Sequence, residues 1–295
     1  MKIITSPEAM QAEAKRLRSE GKTIGFVPTM GYLHEGHLSL MRIAKEKCDI
    51  LVVSIFVNPT QFRPEEDFDT YPRDFDRDEK LLKELGCDIL FYPTSEDMYP
   101  ANYHTYITVE EVGDVFEGTS RPGFFRGVAT IVAKLFNIVQ PHFAVFGQKD
   151  AQQVVVIKRM VKDLDFDIDI LVGPIIREPD GLAMSSRNSY LSQKERQDAT
   201  ILYRALNKGK ERIEAGEKNP KKEEKMALGR EKIIEEMESL ILQVPSARID
   251  YIAVVDPDSM EQVSTIRNKV LIVLAVKIGT TRLIDNIMAN SEKTI

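Results

Sequence analysis

The chain has 295 residues, of which 43% are hydrophobic and 29% are charged, and its formal net charge is −6. This composition is typical of a globular protein with one large domain or two modest ones. The negative charge argues against a broad nucleic-acid-binding surface, so a polyanionic ligand would have to meet a few local bases.

The first ten residues, MKIITSPEAM, lack the long apolar stretch of a signal peptide, and no run reaches the roughly 18 apolar residues of a membrane span. Cys48 and Cys87 show no metal-binding or redox spacing, so we expect core or near-core thiols in a reducing compartment. These features favour a cytoplasmic protein that does not bind membranes.

Strands and helices alternate through the first two thirds of the chain. TIGFVP (23–28) is typical of a strand and 36–48 of a helix. DILVVSIFVNP (49–59) is apolar without alternation, which indicates a strand covered on both faces, as in a parallel sheet.

The same alternation continues towards residue 176. Helices are predicted near 73–85, at 128–139 and at 150–163, and strands at 87–93, 142–147 and 166–175. We therefore predict an α/β fold, with a doubly wound parallel sheet (Rossmann-like) in an N-terminal domain at 1–176.

Residues 177–295 differ in character and predict a smaller C-terminal α+β domain. A charged helical region covers 193–243 and is broken by GEKNP (216–220). Its charge run is interpreted as a solvated surface and not as a partner site. Strands follow at 248–256 and within 269–289, with a turn near Gly279.

Two of the four histidines lie three residues apart in GFVPTMGYLHEGHLSL (25–40), where a predicted strand gives way to a helix. Free backbone N–H groups and the helix dipole favour phosphate at such a point. His34 and His37 can face the same side of the first helical turn, and Gly36 would let a phosphate approach closely. Two imidazoles there could donate to phosphoryl oxygens or protonate a departing pyrophosphate.

Two simpler interpretations of this pair stay open. The histidines could be zinc ligands, although no third ligand lies nearby and Glu35 points elsewhere on a helix. They could also be incidental surface residues.

FGQKDAQQ (146–153) likewise follows a strand and opens a helix. Lys149 is a cation suited to a polyphosphate or a carboxylate. Asp150 is equally consistent with a helix cap. Gln153 would lie one turn into the helix, where it could bind a polar substrate.

REPDGLAMSSRNSYLS (177–192) is polar and lies between the two predicted domains. Ser185, Ser186 and Arg187 offer two hydroxyls and a guanidinium in succession, and Pro179 and Gly181 permit movement. The pattern favours a lid that closes over phosphates, and a plain linker is the alternative.

VNPTQF (57–62) follows the apolar strand and carries Asn58 and Gln61 at its carboxyl end. Neutral amides there can set substrate specificity, although Asn-Pro is also simply a turn. The sequence contains no G-x-x-x-x-G-K-[ST] loop, no G-x-G-x-x-G and no Ser–His–Asp order. We therefore favour nucleotidyl transfer, in which a carboxylate attacks the α-phosphate of a nucleoside triphosphate.

The H-x-G-H element resembles the signature of the H-x-G-H nucleotidyltransferase superfamily. More narrowly, the chain resembles the pantoate–β-alanine ligase (pantothenate synthetase) family over about residues 23–192. The motifs that carry this resemblance are PTMGYLHEGHLSL, VNPTQF, YPRDFDRD, RPGFFRGV, FGQKDAQQ and REPDGLAMSSRNSYL.

The resemblance implies a two-step reaction. ATP and pantoate would give pantoyl adenylate and pyrophosphate, and β-alanine would then displace AMP to give pantothenate. It also implies ATP with Mg²⁺, no tightly bound organic cofactor, and a cytoplasmic homodimer with small-molecule substrates. Metal ligands cannot be assigned from the sequence.

The resemblance assigns roles to individual residues. His37 would be the proton donor, and His34, Lys149 and Arg187 would complete the catalytic set. Gln61, Gln153 and Asn58 would bind pantoate or β-alanine. The ATP site would comprise Met30, Gly31, Tyr32, Leu33, His34, Glu35, Gly36, His37, Gly147, Gln148, Lys149, Asp150, Ile176, Met184, Ser185, Ser186 and Arg187.

Two positions depart from the family pattern. Phe124 stands where family members often have His, and Gln148 where they often have Glu. The alternative functions are another H-x-G-H adenylyl- or cytidylyltransferase with a phosphorylated acceptor, a nucleotide sensor without catalysis, and a metal-binding structural protein that would recruit His104 or His142.

Overall fold

The computed structural model describes residues 1–215, 229–264, 266 and 269–291. These residues form two compact units. Unit 1 comprises Met1–Gln148 and Gln152–Ile176, and unit 2 comprises Lys149–Ala151 and the described residues from Arg177 onward. Lys149–Ala151 thus groups with unit 2, although the chain on both sides of it belongs to unit 1.

Unit 1 contains a six-stranded sheet whose neighbouring strands are all parallel. The strands are β1 (Lys2–Ile4), β2 (Ile24–Thr29), β3 (Ile50–Ile55), β4 (Ile89–Phe91), β5 (Phe143–Gly147) and β6 (Asp169–Gly173). Their order is β1-β4-β3-β2-β5-β6. The order reverses between β2 and β5, so the carboxyl ends of these two strands flank the place where open α/β sheets bind ligands.

The helices between these strands are α1 (Pro7–Ser19), α2 (Glu35–Lys45), α3 (Phe75–Leu85), α4 (Ser95–Met98), α5 (Glu117–Ser120), α6 (Phe124–Val139) and α7 (Ala151–Asp163). Local sequence fixes several of their ends. The Ser6 hydroxyl accepts a hydrogen bond from Ala9 N at the start of α1, and Gly86, at φ 78°, ends α3 in the left-handed conformation. The prediction of a doubly wound parallel sheet is confirmed.

The apolar run at 49–59 forms β3, in which five of six residues are buried. This burial confirms the prediction that both faces of the strand are covered. Cys87 is buried and Cys48 is half-buried, and both are free thiols. Burial raises the pKa of Cys87 to about 12, so this thiol is unreactive at neutral pH.

Unit 2 contains α8 (Gln193–Asp198), α9 (Ile201–Ala215), α10 (Arg230–Ile241) and an antiparallel sheet of β7 (Ala247–Val255), β8 (Lys269–Ile278) and β9 (Thr281–Asn290). Leu206, Ile233 and Ile272 lie in its apolar core. Gly279 turns the chain from β8 to β9 at φ 58°, where a Cβ would overlap the Glu195 carboxylate. The small α+β unit and the turn near Gly279 agree with the prediction.

The charged region at 193–243 forms helices α8, α9 and α10 in its described parts. The predicted break at GEKNP (216–220) lies outside the described residues. Across the described ranges, no helix has both the length and the apolar character needed to cross a membrane.

Candidate active site

The loop after β2 brings the two histidines to the carboxyl end of the sheet. Its backbone is left-handed at Gly31 (φ 82°) and at Tyr32 (φ 48°). A Cβ on Gly31 would lie 2.9 Å from Ile55 Cγ2 and 3.1 Å from Asp78 Oδ2, so only glycine fits there without displacement.

A buried carboxylate holds this loop in place. Asp78, on α3, is 1% exposed. Its Oδ2 accepts a hydrogen bond from Tyr32 N and its Oδ1 accepts one from Leu33 N, each at 2.7 Å. Burial raises the pKa of the Asp78 carboxyl, while the two backbone amides and the nearby Arg77 act in the opposite direction. Asp78 therefore fixes the backbone just before His34.

The two imidazoles are themselves fixed by backbone amides. His34 caps α2 through its Nδ1, which accepts a hydrogen bond from Gly36 N at 3.2 Å. His37 Nδ1 accepts one from His34 N at 3.3 Å. The ring centroids are 4.0 Å apart. Because a backbone N–H can only donate, both Nδ1 atoms are unprotonated, and each neutral ring carries its proton on Nε2.

The prediction of free backbone N–H groups at this helix start is wrong for most of the loop. The N–H groups of Gly31, Tyr32, Leu33, His34 and Gly36 all donate to side chains of the protein. These hydrogen bonds from the backbone N–H groups stabilise the conformation of the loop. A phosphate near α2 would therefore have to be met largely by side-chain donors.

Glu35, the first residue of α2, pairs with Arg42, and both side chains are largely exposed. Arg42 lowers the pKa of the Glu35 carboxyl. The negative charge of Glu35 interacts favourably with the positive end of the α2 dipole, as expected for a carboxylate in the first helical turn. This pairing agrees with the expectation that Glu35 points elsewhere on the helix and does not join the two imidazoles as a third metal ligand.

Asn58 lies at the end of the segment that follows β3 and is 1% exposed. Its Nδ2 donates to Gln61 Oε1 at 3.1 Å and to Gly127 O at 3.2 Å. Its Oδ1 accepts from Thr60 Oγ1 at 3.0 Å and from Tyr99 Oη at 2.8 Å. Both ends of the Asn58 side-chain amide thus hydrogen-bond to other residues of the protein. Its contact with a substrate stays a prediction.

Gln61 is oriented from three sides. Asn58 holds its Oε1, and its own Nε2 lies 3.0 Å from Met30 Sδ. Its backbone carbonyl accepts a hydrogen bond from Arg121 Nη2 at 3.1 Å. Met30 and Gln61, predicted separately as ATP-binding and pantoate-binding residues, are therefore in contact.

Phe124 contacts Arg121, the residue that holds the backbone of the Pro59–Gln61 turn. The Arg121 guanidinium lies 3.9 Å from the centroid of the Phe124 ring. It also forms two hydrogen bonds with the Glu66 carboxylate, at 2.8 and 2.6 Å. The Phe124 ring thus stacks on the cation that holds the Gln61 backbone.

The chain leaves β5 at Gly147 through a 3-10 turn at Gln148–Asp150 that runs directly into α7. Gln152 is buried and donates from Nε2 to Val112 O and Val115 O, at 2.8 and 2.7 Å. Its neighbour Gln153 is half-buried. Of the two adjacent glutamines, Gln152 is structural and Gln153 is the better candidate for binding a ligand.

Within unit 2, the backbone of Lys149 is held by a residue far along the chain. Lys149 O accepts a hydrogen bond from Asn286 Nδ2 at 3.0 Å. Lys149 Nζ lies 3.9 Å from Asp150 Oδ1. Asp150 occupies the position directly before α7, as a helix cap would.

The predicted lid segment begins with a tight turn. Ile176, half-buried, is the last residue of unit 1. Arg177 and Ala183 form an isolated β-bridge, and Gly181 lies between them at φ 94°. Arg177 Nη1 donates to Gly181 O at 3.0 Å. The turn is therefore built on a specific arginine contact, and its movement stays a prediction.

The serine-rich stretch follows this turn. Met184 is half-buried and Ser186 is buried. Ser185 Oγ accepts a hydrogen bond from Arg187 N at 3.3 Å and begins a 3-10 turn at Ser186–Tyr190. Ser185 and Arg187 are therefore ordered relative to each other, as a phosphate-binding segment requires.

Contacts within each unit join some of the predicted residues. In unit 1, His34 contacts His37, and Gln61 contacts both Asn58 and Met30. Unit 2 contains Lys149 and the 184–187 stretch. Asp78, Arg121 and Asn286 were missed. The available signal was a charged or polar residue on an otherwise apolar helix face or strand, which does not by itself identify its partner.

The metal hypothesis finds no support among the residues whose structure is described. No group of three or more His, Cys, Asp or Glu side chains there could hold a metal ion. His142 uses its Nδ1 to accept a hydrogen bond from Ile24 N at 2.9 Å, and His104 is exposed.

Comparison with known proteins gives a consistent result. The model of the pantoate-beta-alanine ligase family matches residues 2–288. A pantothenate synthetase of Caldicellulosiruptor saccharolyticus is 56% identical over 288 residues, covering 98% of this chain and 99% of the relative. One from Thermotoga petrophila is 51% identical over 286 residues, covering 97% and 99%.

Solved structures agree. The pantothenate synthetase of Thermus thermophilus has a TM-score of 0.89 at 42% identity and covers 97% of this chain and 99% of its own. The pantoate-beta-alanine ligase of Francisella tularensis, complexed with beta-gamma ATP and beta-alanine, has a TM-score of 0.79 at 35% identity, covering 98% and 97%.

Proposed function

The chain belongs to the pantoate-beta-alanine ligase family, and from this premise we propose how its residues carry out the ATP-dependent joining of pantoate to β-alanine. The reaction has two steps. Pantoate is first activated as pantoyl adenylate with release of pyrophosphate, and β-alanine then displaces AMP to give pantothenate.

In the first step, a carboxylate oxygen of pantoate attacks the α-phosphorus of ATP. The bond from that phosphorus to the oxygen bridging the α- and β-phosphates breaks, and pyrophosphate takes the electron pair. Negative charge grows on the phosphoryl oxygens during this displacement, so donors aimed at them accelerate it. His34 and His37 supply two such donors through Nε2–H. The expectation that His37 transfers a proton does not fit a neutral ring, so His37 is proposed to stabilise the leaving pyrophosphate by donating a hydrogen bond from Nε2–H.

In the second step, the free amine of β-alanine attacks the acyl carbon of the adenylate. The bond from the acyl carbon to the AMP oxygen breaks, AMP departs, and the new amide nitrogen loses a proton. Gln61 and Gln153 bind pantoate in this proposal, with Gln61 also close to β-alanine. Asn58 contributes by orienting the Gln61 amide, because its Nδ2 donates to Gln61 Oε1.

The observation that carries this proposal is the shared tautomer of the two imidazoles. Backbone amides occupy both Nδ1 atoms, so both rings offer Nε2–H as a donor. A pair of donors in one tautomer suits an anion with several oxygens. It suits a metal site poorly, because two rings with protonated Nε2 atoms and occupied Nδ1 atoms have no lone pair available for a ligand bond.

Lys149 and Arg187 supply positive charge to the polyphosphate in this proposal, and the remaining predicted ATP-site residues follow the family motifs. Mg²⁺ would come with ATP and be held mainly by phosphate oxygens and water, as this ion usually is. We assign it no protein ligand.

A homodimer in the cytoplasm is also proposed, and it rests on the family resemblance. Light scattering of the purified protein would test the dimer. A mass near twice the 33.5 kDa of one chain is expected, and a mass equal to one chain would contradict it.

The experiment that tests the function measures pyrophosphate release from ATP and Mg²⁺, with and without pantoate and β-alanine. We expect release that requires pantoate, and sustained AMP formation only after β-alanine is added. Release that ignores pantoate, or that requires a phosphorylated acceptor, would instead indicate a different H-x-G-H nucleotidyltransferase.

A further inference from the structure

Strand β9 carries two consecutive buried polar residues. Asp285 and Asn286 are each 2% exposed, within a strand that packs against the apolar core of unit 2. Successive side chains of a strand point to opposite faces, so the two residues serve different surroundings. Buried polar groups in native proteins have partners, and the partners of these two indicate what they do.

Asp285 forms an ion pair with the guanidinium of Arg177. Arg177 Nη1 donates to Asp285 Oδ2 at 2.7 Å and Nη2 donates to Oδ1 at 3.0 Å, which is a bidentate pair. Arg177 also donates to Asn286 O at 3.2 Å and lies over the Tyr203 ring at 4.3 Å. This pair fixes the start of the 177–192 segment against β9.

Asn286 reaches a different target, the short turn that carries Lys149. Its Nδ2 donates to Lys149 O at 3.0 Å across 137 residues of sequence. The turn at Gln148–Asp150 has only three residues. Anchoring one carbonyl in so short a turn restricts the direction of the Lys149 Cα–Cβ bond.

We propose that Asn286 is a positioning residue for Lys149, acting through the Lys149 carbonyl and not through contact with substrate. The inference rests on the proposed role of Lys149 as a cation for the polyphosphate. A lysine side chain is long and flexible, so its aim depends on where its backbone is held. A misplacement of about 1 Å in a reacting group can reduce a rate by about 10²-fold.

A purely structural role would make a different prediction. In that case Asn286 would serve only to satisfy the Lys149 carbonyl, and its loss would reduce activity in proportion to the loss of folded protein. The two roles separate in a double-mutant cycle, because residues that act through one another do not add.

The cycle compares wild type, Asn286→Ala, Lys149→Ala and the double variant, all as full-length chains. Pyrophosphate release and the Kd for ATP are measured for each, with the folded fraction checked by circular dichroism. We expect Asn286→Ala to slow pyrophosphate release by about 10-fold or more in the wild-type background, and by less than about 2-fold in the Lys149→Ala background.

The control is Arg282→Ala on the same strand. This change removes the hydrogen bonds of Arg282 to Asp250 and leaves the contacts of Asn286 with Lys149 and of Asp285 with Arg177 in place. We expect its pyrophosphate release to stay within about 2-fold of wild type. If Asn286→Ala does not fold, Asn286→Leu, which has a similar size and no hydrogen-bond donor, takes its place in the same cycle.

If the Asn286 change slows pyrophosphate release by the same factor in the wild-type and Lys149→Ala backgrounds, the proposal is overturned. Failure of the proposed function gives a distinct result, because the wild type itself would then not release pyrophosphate in response to pantoate. The Kd for ATP still tests the positioning role in that event. The Asn286 change should weaken ATP binding only when Lys149 is present, and weakening in both backgrounds would contradict it.

Discussion

At the scale of single residues, His34 has two separable roles. Its Nδ1 caps α2 by accepting a hydrogen bond from Gly36 N, and its Nε2–H is the donor proposed for phosphate. Capping affects stability and donation affects rate. A residue that keeps the first property and loses the second can therefore separate them.

Replacing His34 with Asn should slow adenylation without unfolding the protein. Asn is among the best helix caps, so we expect the free energy of unfolding to change by only a few tenths of a kcal/mol. The loss of the Nε2–H donor should lower the rate of pyrophosphate release by about 10²–10³-fold. Denaturant unfolding and single-turnover kinetics provide the two measurements.

His34→Ala is the matched comparison, since it removes both roles and should additionally cost about 1 kcal/mol of stability. An Asn variant with normal turnover would show that His34 only caps the helix.

His37→Ala should lower the adenylation rate by about 10²–10³-fold as well, because it removes one transition-state donor. ATP should still bind, since Asp78 holds the loop backbone at Tyr32 and Leu33, and the change removes only the acceptor of the His34 N–H. Equilibrium binding of ATP and single-turnover release of pyrophosphate are the measurements. Near-normal turnover would remove His37 from the mechanism.

The sequence predicted the histidine pair because its spacing and its position after an apolar strand are local features. It did not predict Asp78 or Asn286. Asp78 contacts Leu33 across 45 residues and Asn286 contacts Lys149 across 137. A side chain that holds a distant backbone leaves no local pattern, so such positioning residues emerge only when the fold is known.

At the scale of elements, helix α6 packs directly on the turn that carries Gln61. Gly127 lies on the contact face of α6, and a Cβ there would overlap the Thr60 carbonyl oxygen. The Gly127 carbonyl also accepts a hydrogen bond from Asn58 Nδ2. Absence of a side chain thus lets the helix and the turn approach closely.

Gly127→Ala should damage the predicted pantoate site although alanine favours helices. The gain in helix propensity is about 1 kcal/mol, but the overlap with Thr60 forces the turn at Pro59–Gln61 to move. We expect the KM for pantoate to rise more than the KM for ATP, as measured by steady-state kinetics.

Asn137→Ala is the control on the same helix, because Asn137 is exposed and alanine there adds helix propensity without overlap. Unchanged pantoate kinetics in the Gly127 variant would show that the turn does not bind pantoate.

The ends of three neighbouring strands meet at His142. Its N–H donates to Ile24 O at 2.9 Å, its carbonyl accepts from Asp169 N at 3.1 Å, and its Nδ1 accepts from Ile24 N at 2.9 Å. Burial, aided by the charge of Arg18, lowers the pKa of His142 from its ordinary value of 6.5. Folding therefore favours the neutral ring.

This shift predicts a pH dependence of stability. Below about pH 6.5 the unfolded chain binds a proton at this position more readily than the folded chain, so the stabilisation by His142 is present above that pH and is lost as the pH falls through the folded pKa. His142→Asn retains an acceptor for Ile24 N without titrating. We expect its unfolding free energy to fall less between pH 7 and pH 5 than that of wild type, as measured by urea unfolding.

The matched control is His104→Asn, since His104 is an exposed histidine. It should leave the pH dependence close to that of wild type. Identical curves for His142→Asn and wild type would contradict the assignment.

From β2 onward, the types and order of the main strands and helices followed from the sequence because continuous apolar runs and helical periodicity are strong signals. β1 (Lys2–Ile4) and α1 (Pro7–Ser19) were not predicted. Boundaries followed less well. The helix predicted at 36–48 is α2 at Glu35–Lys45, since the His34 cap sets its start, and the helix predicted from 128 begins at Phe124. Caps and tertiary contacts, and not periodicity, decide where a helix begins and ends.

At the scale of the whole molecule, the described residues contain separate apolar cores in the two units. Leu51 lies in the core of unit 1 and Leu274 in that of unit 2, and both are fully buried. Two cores without shared side chains allow each unit to be destabilised by itself.

Leu51→Ala and Leu274→Ala should each cost about 2–5 kcal/mol, but in different units. Hydrogen–deuterium exchange of the whole chain is the measurement. We expect Leu274→Ala to accelerate exchange in β7, β8 and β9, and Leu51→Ala to accelerate it in the parallel sheet. Equal acceleration in both units by either variant would show that they unfold as one cooperative body.

The contact between Asn286 and Lys149 also has a consequence for protein synthesis. A ribosome adds about 5–20 residues per second, so the 137 residues that separate the two take on the order of 10 s to translate. By the end of that interval every strand of the parallel sheet has been made, including β6 (Asp169–Gly173), before Asn286, the partner of the Lys149 carbonyl, is added. If Asn286 positions Lys149 as proposed, the nascent chain would reach its full rate of pyrophosphate release only once its last strand has left the ribosome.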